Sequence, residues 1–150
     1  MTSLQIKPYT LEDDEGQKFQ SLGALVLTKA GFERTDGAVT VLEIMAPAGF
    51  ATSLNIRYAD DVALFVLDGR LTLYWGDEKQ EAAAGSDFFQ PRGTPYGFRV
   101  TGERPARVLY LTTSGGLDHF LRERARAPRE RDVDAMAARY KIEILGPLPE

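Results

Sequence analysis

The chain has 150 residues but no cysteine, and it contains a single histidine, His119. The absence of cysteine excludes disulfide bonds, thiolate catalysis and every zinc or iron–sulfur site that depends on sulfur ligands. A single histidine cannot supply the imidazole ligands of a facial metal triad. Because His119 falls in a C-terminal segment with helical periodicity, we expect it to be a polar residue on the edge of a helix.

Long apolar runs are missing as well. No segment approaches the roughly 20 apolar residues that a membrane span requires, and Met1 to Tyr9 show no basic stretch followed by an apolar run. The formal net charge is −4, and the arginines between residues 122 and 131 alternate with acidic residues, which is typical of a solvated helix face. We therefore expect a cytoplasmic protein that binds neither membranes nor nucleic acids.

Residues 23–113 consist of short β-prone runs separated by turn signals made of Gly, Pro and Asp. The runs are Ala24–Lys29, Ala38–Met45, Thr52–Tyr58, Val62–Leu67, Leu71–Trp75, Asp87–Gln90, Tyr96–Val100 and Val108–Thr112. About eight strands suffice to close a barrel or a double sheet. The sequence therefore predicts an all-β domain.

The pattern changes in residues 116–141, where apolar residues recur at helical spacing. These residues are Leu117, Phe120, Leu121, Val133, Met136, Ala137 and Tyr140. We expect one or two C-terminal helices packed on the outside of the β-structure. With no internal repeat and no composition break that marks a linker, residues 1–150 are predicted to form a single domain.

Between residues 49 and 100, turn-forming residues keep a fixed spacing at Gly49, Gly69, Gly85, Pro91 and Gly93. This frame resembles the two motifs of cupins of the quercetin-dioxygenase-like kind. Their first motif runs Gly, five residues, His, one residue, His, four residues, Glu, six residues, Gly, and every spacing is kept here. Their second motif runs Gly, five residues, Pro, one residue, Gly, two residues, His, three residues, Asn, and it is kept too. The resemblance implies the cupin double-stranded β-helix, a jelly-roll barrel.

The resemblance places the metal-ligand positions of the family at Asn55, Arg57, Val62 and Tyr96. Typical relatives carry three His and one Glu there and hold Fe, Mn, Ni or Zn. Val62 has no donor atom, and the permanent positive charge of Arg57 repels a cation. Asn55 and Tyr96 alone make a very poor metal site. We therefore expect no metal and no other cofactor.

Asn55, Arg57 and Tyr96 are the predicted catalytic residues. A buried Arg57 needs an internal carboxylate, access to solvent or an anionic ligand, and Glu43 on the preceding strand is the expected partner if it points inward. Two interpretations stay open. In one, the motif has decayed and Arg57–Glu43 is a structural ion pair. In the other, Arg57 acts with Asn55 and Tyr96 to hold a carbonyl, enolate or carboxylate oxygen.

Strand alternation predicts the rest of the ligand-binding wall. Besides Glu43, the predicted wall consists of Val62, Leu64, Val66, Phe98, Val100 and Phe50. Phe50 follows the turn at Gly49 and is expected to cover the barrel mouth. Asp60 and Asp61 lie in a bend before a strand and are expected to face water. An apolar wall with a few polar groups suits a mostly hydrophobic ligand that carries carbonyl or hydroxyl oxygens.

The leading functional hypothesis is a cofactor-free cyclase or isomerase of natural product biosynthesis, acting on a polyketide-like or otherwise oxygenated apolar metabolite. The alternatives are a non-catalytic metabolite-binding or regulatory cupin and a metal-dependent dioxygenase. Relatives in the cupin family commonly form dimers through their barrel sheets and N-terminal strand. The resemblance therefore implies a homodimer, and the run Ala24–Lys29 is a candidate for that contact.

Overall fold

The computed structural model describes residues 6–113, 116–126 and 130–149 of the chain. The strands are β1 Gln17–Ser21, β2 Ala24–Ala30, β3 Val39–Ala46, β4 Leu54–Arg57, β5 Val62–Asp68, β6 Arg70–Trp75, β7 Glu78–Ala83, β8 Asp87–Gln90, β9 Pro95–Thr101, β10 Ala106–Thr113 and β11 Ile142–Gly146. The helices are α1 Phe32–Thr35, α2 Leu117–Arg126 and α3 Glu130–Arg139. Among these residues, no helix is both long and apolar enough to cross a bilayer.

The strands form two antiparallel sheets that pack face to face. One sheet has six strands in the order β1-β2-β3-β10-β5-β8, and the other has five in the order β11-β4-β9-β6-β7. Strands distant in the chain, such as β3 and β10, lie side by side, as a jelly roll requires. The predicted all-β fold with C-terminal helices outside the barrel is confirmed.

Each of the eight predicted runs contains a strand, but β1, β7 and β11 were not predicted from the sequence. All three lie at the edge of a sheet. In β7 only Ala82 is buried, and β1 is mostly polar and exposed. These three strands bury one side chain each, so their alternation is too weak to stand out in the sequence.

The core fills the space between the sheets because side chains alternate along each strand. Its fully buried members include Leu42 of β3, Val62 and Leu64 of β5, Leu71 of β6, Phe98 and Val100 of β9 and Val108 of β10. The helices add Leu117, Phe120, Met136 and Ala137 to the same core cluster. The helical segment is therefore packed on the barrel as an integral part of the domain.

Gly69 shows why the turn frame is needed. Its φ is +86°, a left-handed conformation that favours glycine. A Cβ atom there would lie 2.8 Å from the Cα atom of Ala106 and 2.8 Å from the carbonyl oxygen of Pro105. The turn between β5 and β6 and its packing on the start of β10 thus both require glycine.

Candidate functional site

A cavity of about 110 Å³ lies between the two sheets, beside α2. Its wall consists of Ser21, Leu22, Ala24 and Val26 near β1 and β2, Ile44 of β3, Phe50, Thr52, Ser53, Asn55 and Arg57 in and before β4, Tyr96 and Phe98 of β9, Tyr110 of β10, Leu117, Phe120, Leu121 and Arg124 of α2, and Ile142 and Ile144 of β11. The wall is mainly apolar. Asn55, Arg57, Tyr96 and Tyr110 are the polar groups that β4, β9 and β10 contribute to it.

Arg57 is buried and paired with Asp60, not with Glu43. Its Nε donates to Asp60 Oδ1 and its Nη2 donates to Asp60 Oδ2, both at 3.2 Å, and each side chain is only 9% exposed. The prediction that Asp60 faces water is wrong, because the chain turns back after β4 and brings its carboxylate onto Arg57. Burial lowers the pKa of Arg57, but Tyr110 and Asp60 outweigh it and raise the pKa, so the guanidinium stays charged.

Glu43 lies on the opposite face of β3 from the cavity. Its neighbours Leu42 and Ile44 are buried in the core, so alternation directs Glu43 outward. There its Oε1 accepts a 2.7 Å hydrogen bond from Arg107 Nε. The predicted Arg57–Glu43 ion pair is therefore wrong, and Glu43 does not line the cavity.

Tyr96 places a buried phenol at the cavity wall. Its hydroxyl has no hydrogen-bond partner of normal geometry among the described residues, although Tyr110 is near enough to influence its ionisation. Burial, reinforced by Tyr110 and opposed by Arg57, raises the pKa of Tyr96 well above its ordinary value of 10.0. The phenol is therefore protonated at neutral pH and can donate a hydrogen bond.

Tyr110 is a member of the site that the sequence analysis missed. Burial raises its pKa, whereas Arg57 and Tyr96 lower it. It lies in phase with the buried residues Val108 and Thr112 on β10, so strand alternation was the signal that pointed it inward. With Tyr110, the polar end of the cavity contains two phenols beside one guanidinium.

Asn55 pairs with Tyr96 across β4 and β9, and both side chains line the cavity. Asn55 Nδ2 donates a 3.0 Å hydrogen bond to the carbonyl oxygen of Ser53. Asn55 Oδ1 is buried and has no partner in the described part of the chain. The adjacent residues thus offer a ligand one unused acceptor and one donor.

The predicted apolar wall is only partly present. Phe50 and Phe98 line the cavity, with ring centroids 6.0 Å apart. The predicted residues Val62, Leu64, Val66 and Val100 are buried in the core and do not border the cavity. The cavity is displaced from β5 towards β2, α2 and β11, so strand alternation identified the inner face but not the part of it that stays unfilled.

The residues at the family's metal-ligand positions do not fit a divalent metal ion. Val62 contributes only methyl groups to the core, and Arg57 brings a buried positive charge. The carboxylate nearest to this charge, Asp60, is already held by it in a two-point contact. Asn55 and Tyr96 alone supply one amide oxygen and one protonated phenol, which is a poor donor set for a metal.

A second group of potential ligands lies outside the barrel. Glu33, Asp118 and His119 each offer one donor atom, and these atoms lie within 4.8 Å of one another. Each already has a partner: His119 Nε2 is 2.8 Å from Glu33 Oε1. Asp118 Oδ2 accepts a 3.3 Å hydrogen bond from Arg122 Nη2. The His119 ring also packs at a tilt against Phe32, in keeping with a structural role on α2.

Comparison with known proteins agrees with this architecture. Residues 41–112 match the family model for the cupin domain. Quercetin 2,3-dioxygenase of Bacillus subtilis (strain 168) is 26% identical over 113 residues, which cover 75% of this chain and 33% of that protein. The chain thus spans about a third of the length of this curated relative.

Solved structures show the same fold at low sequence identity. KdgF from Halomonas is 17% identical with a TM-score of 0.63, covering 72% of this chain and 96% of that one. Streptomyces PAC13, solved with uridine, is 12% identical with a TM-score of 0.64, covering 95% of this chain and 94% of that one. Such identities establish the fold alone. The match of residues 41–112 to the family model, with the curated relative beside it, shows that the chain contains a cupin domain, and the solved structures and the intact turn frame agree with this.

Proposed function

We propose that this cupin binds a small, largely apolar metabolite with carbonyl or hydroxyl oxygens in its barrel cavity, without a metal, and isomerises or cyclises it. The observation that carries the proposal is the pair of unused buried polar atoms, the Tyr96 hydroxyl and Asn55 Oδ1. A buried polar atom without a partner costs about 1–3 kcal/mol. A ligand with matching groups would recover that cost. We place the protein in the cytoplasm as part of the same proposal.

The chemistry proposed for the site is polarisation of a ligand oxygen. Tyr96 donates a hydrogen bond to a carbonyl oxygen, and the Arg57 guanidinium stabilises negative charge as it develops there. The apolar wall, including Phe50 and Phe98, holds the substrate in a folded conformer. Isomerisation and ring closure only rearrange the atoms and electrons of the substrate. The site therefore needs no oxidant and no group donor. The names of two relatives, quercetin 2,3-dioxygenase and PAC13 with uridine, associate this fold with oxygen-bearing ring compounds.

The test begins with the ligand that accompanies protein purified from its own source, identified by native mass spectrometry. With that compound, Tyr96→Phe is expected to lower kcat by about 100-fold, the effect of losing one donor to a developing oxyanion, while much of the binding remains. Tyr74→Phe is the matched control, because Tyr74 is also buried but does not line the cavity. Wild-type turnover in Tyr96→Phe would contradict the catalytic role, and a compound bound but never converted would identify a binding module instead.

Elemental analysis tests the metal-independent part of the proposal. Protein purified without an affinity tag is expected to contain far less than one transition-metal ion per chain, because Arg57 and Val62 replace ligands. Dialysis against a chelator should leave the melting temperature and ligand binding unchanged. A stoichiometric content of iron, nickel or manganese would identify the metal-dependent alternative.

We further propose a homodimer formed through the outer face of the six-stranded sheet. Met45, Phe65, Leu67 and Phe89 on this face are 42–61% exposed, and an apolar patch of this kind is typical of a protein contact. Phe65→Glu is expected to convert a dimer into a monomer in sedimentation velocity. Leu145→Glu is the control, since Leu145 is similarly exposed on the edge strand β11. A wild-type protein that stays monomeric at high concentration would contradict the proposal.

A further inference from the structure

We infer that the cavity selects an electrically neutral ligand that presents one hydrogen-bond acceptor beside one donor, and that it discriminates against the corresponding carboxylate. This inference rests on the proposed ligand-binding function. It differs from the expectation raised by an isolated buried arginine, which would favour an anion.

The charge balance of the site supports neutrality. Asp60 neutralises Arg57 through two hydrogen bonds of 3.2 Å, and Asp60 does not itself line the cavity. Arg57 therefore faces the ligand with its counter-ion behind it, so the pair presents a dipole and not a net charge. Arg124, the other arginine of the wall, belongs to α2 and not to the strands that carry Asn55 and Tyr96. A carboxylate that enters beside Asn55 and Tyr96 would thus meet a guanidinium that is already neutralised.

The arrangement of unused atoms defines the complementary ligand. The Tyr96 hydroxyl has no hydrogen-bond partner of normal geometry among the described residues, although Tyr110 lies beside it, so its proton can be donated to a ligand. Asn55 Oδ1 can only accept, and Asn55 lies directly opposite Tyr96 in the strand register. A carbonyl oxygen with a neighbouring N–H or O–H satisfies both atoms. A carboxylate brings two acceptor oxygens and no donor. Asn55 Oδ1 would therefore receive no hydrogen bond and would repel the nearer carboxylate oxygen.

The size of the cavity limits the buried part of the ligand. Its volume is about 110 Å³, and a somewhat larger apolar cavity of ~150 Å³ accommodates benzene. A compact group of about six non-hydrogen atoms is therefore the right scale for a probe. Isobutyramide and isobutyrate meet this requirement, have the same number of non-hydrogen atoms and differ chiefly in charge and in the donor.

The experiment compares the two probes by NMR titration of wild-type protein at pH 7. Isobutyramide is expected to bind at least roughly tenfold more tightly than isobutyrate, because the carboxylate would give up its hydration, meet a guanidinium already neutralised by Asp60 and bring no donor for Asn55 Oδ1. In Asp60→Asn the order is expected to reverse, because Arg57 then faces the cavity without a counter-ion. Asp61→Asn is the matched control: Asp61 pairs with Arg92 and does not line the cavity, so the wild-type order should persist.

The outcomes separate the selection for neutral ligands from the ligand-binding function itself. Tighter or equal binding of isobutyrate by wild-type protein would overturn the selection for neutral ligands and leave the ligand-binding function standing. Failure of both probes to bind would overturn the binding function and this inference with it. If Asp60→Asn does not fold, Tyr96→Phe decides, because it should weaken isobutyramide severalfold without strengthening isobutyrate. Unchanged isobutyramide binding in Tyr96→Phe would count against the inferred donor.

Discussion

Replacing Asp60 by alanine is expected to lower the free energy of unfolding by about 3–5 kcal/mol, the usual cost of breaking a buried ion pair from one side. Arg57 is 8% exposed and Asp60 is 7% exposed, so water cannot solvate the guanidinium once its partner is gone. Tyr110 and Tyr96 also act on Arg57 electrostatically, and neutral phenols replace a carboxylate poorly. Urea denaturation monitored by circular dichroism measures the change.

A double variant separates the ion pair from the general effect of altering the site. Arg57→Met combined with Asp60→Leu removes both charges and fills similar volume, so it should recover most of the lost stability. Asp13→Ala is the surface control, because its partner Arg107 is half-buried and Asp13 itself is 84% exposed. Asp60→Ala unfolding at the same urea concentration as the wild type would show that Arg57 is not held as described.

The second large effect is a loss of stability at alkaline pH. Unfolded tyrosine ionises near pH 10, whereas burial raises the pKa of Tyr96 well above that value in the folded state. The contribution is fully present below pH 10 and is lost as the pH rises from there towards the folded pKa. In that window the free energy of unfolding should fall by up to about 1.4 kcal/mol per pH unit for Tyr96. The raised pKa of Tyr110 acts in the same direction.

Urea midpoints measured between pH 8 and pH 11.5 test this slope. Tyr96→Phe should flatten the alkaline limb, because phenylalanine has no proton to retain. Phe98→Leu alters packing on the same wall and removes no ionisable group, so it should shift the curve without changing its steepness. An equally steep alkaline limb in wild type and Tyr96→Phe would show that the phenol is not protected from ionisation.

The strands and the turn frame were predictable because they depend on local chemistry. Runs of β-branched and aromatic residues indicate buried strands. Glycines such as Gly69 occur where the backbone has a positive φ. The edge strands β1, β7 and β11 gave weaker signals because each buries only one side chain, whereas the edge strand β8 was predictable from its two adjacent phenylalanines. The positions of β1, β7 and β11 became evident only when the order of strands in each sheet was known.

Three polar strand residues of the candidate site were predictable, whereas the strand residue Tyr110 and the turn residue Asp60 were missed. Asn55, Arg57 and Tyr96 converge on the cavity as the motif positions imply. Asp60 follows β4 in a bend, where no periodicity fixes the direction of a side chain. Its pairing with Arg57 depends on how the chain re-enters the barrel at β5, which a linear pattern does not encode. The same pattern left the direction of Glu43 open.

Residue order alone was enough to predict a cupin barrel with a frame of turn residues, the loss of the family's metal ligands and three polar residues that face inward. The pairing of Asp60 with Arg57, the place of Tyr110 beside Tyr96 and the share of α2 and β11 in the cavity wall emerged from the folded chain. Strand alternation specifies the face on which a side chain lies, whereas its partners come from elements distant in the chain. The charge that a ligand meets in this cavity depends on those partners.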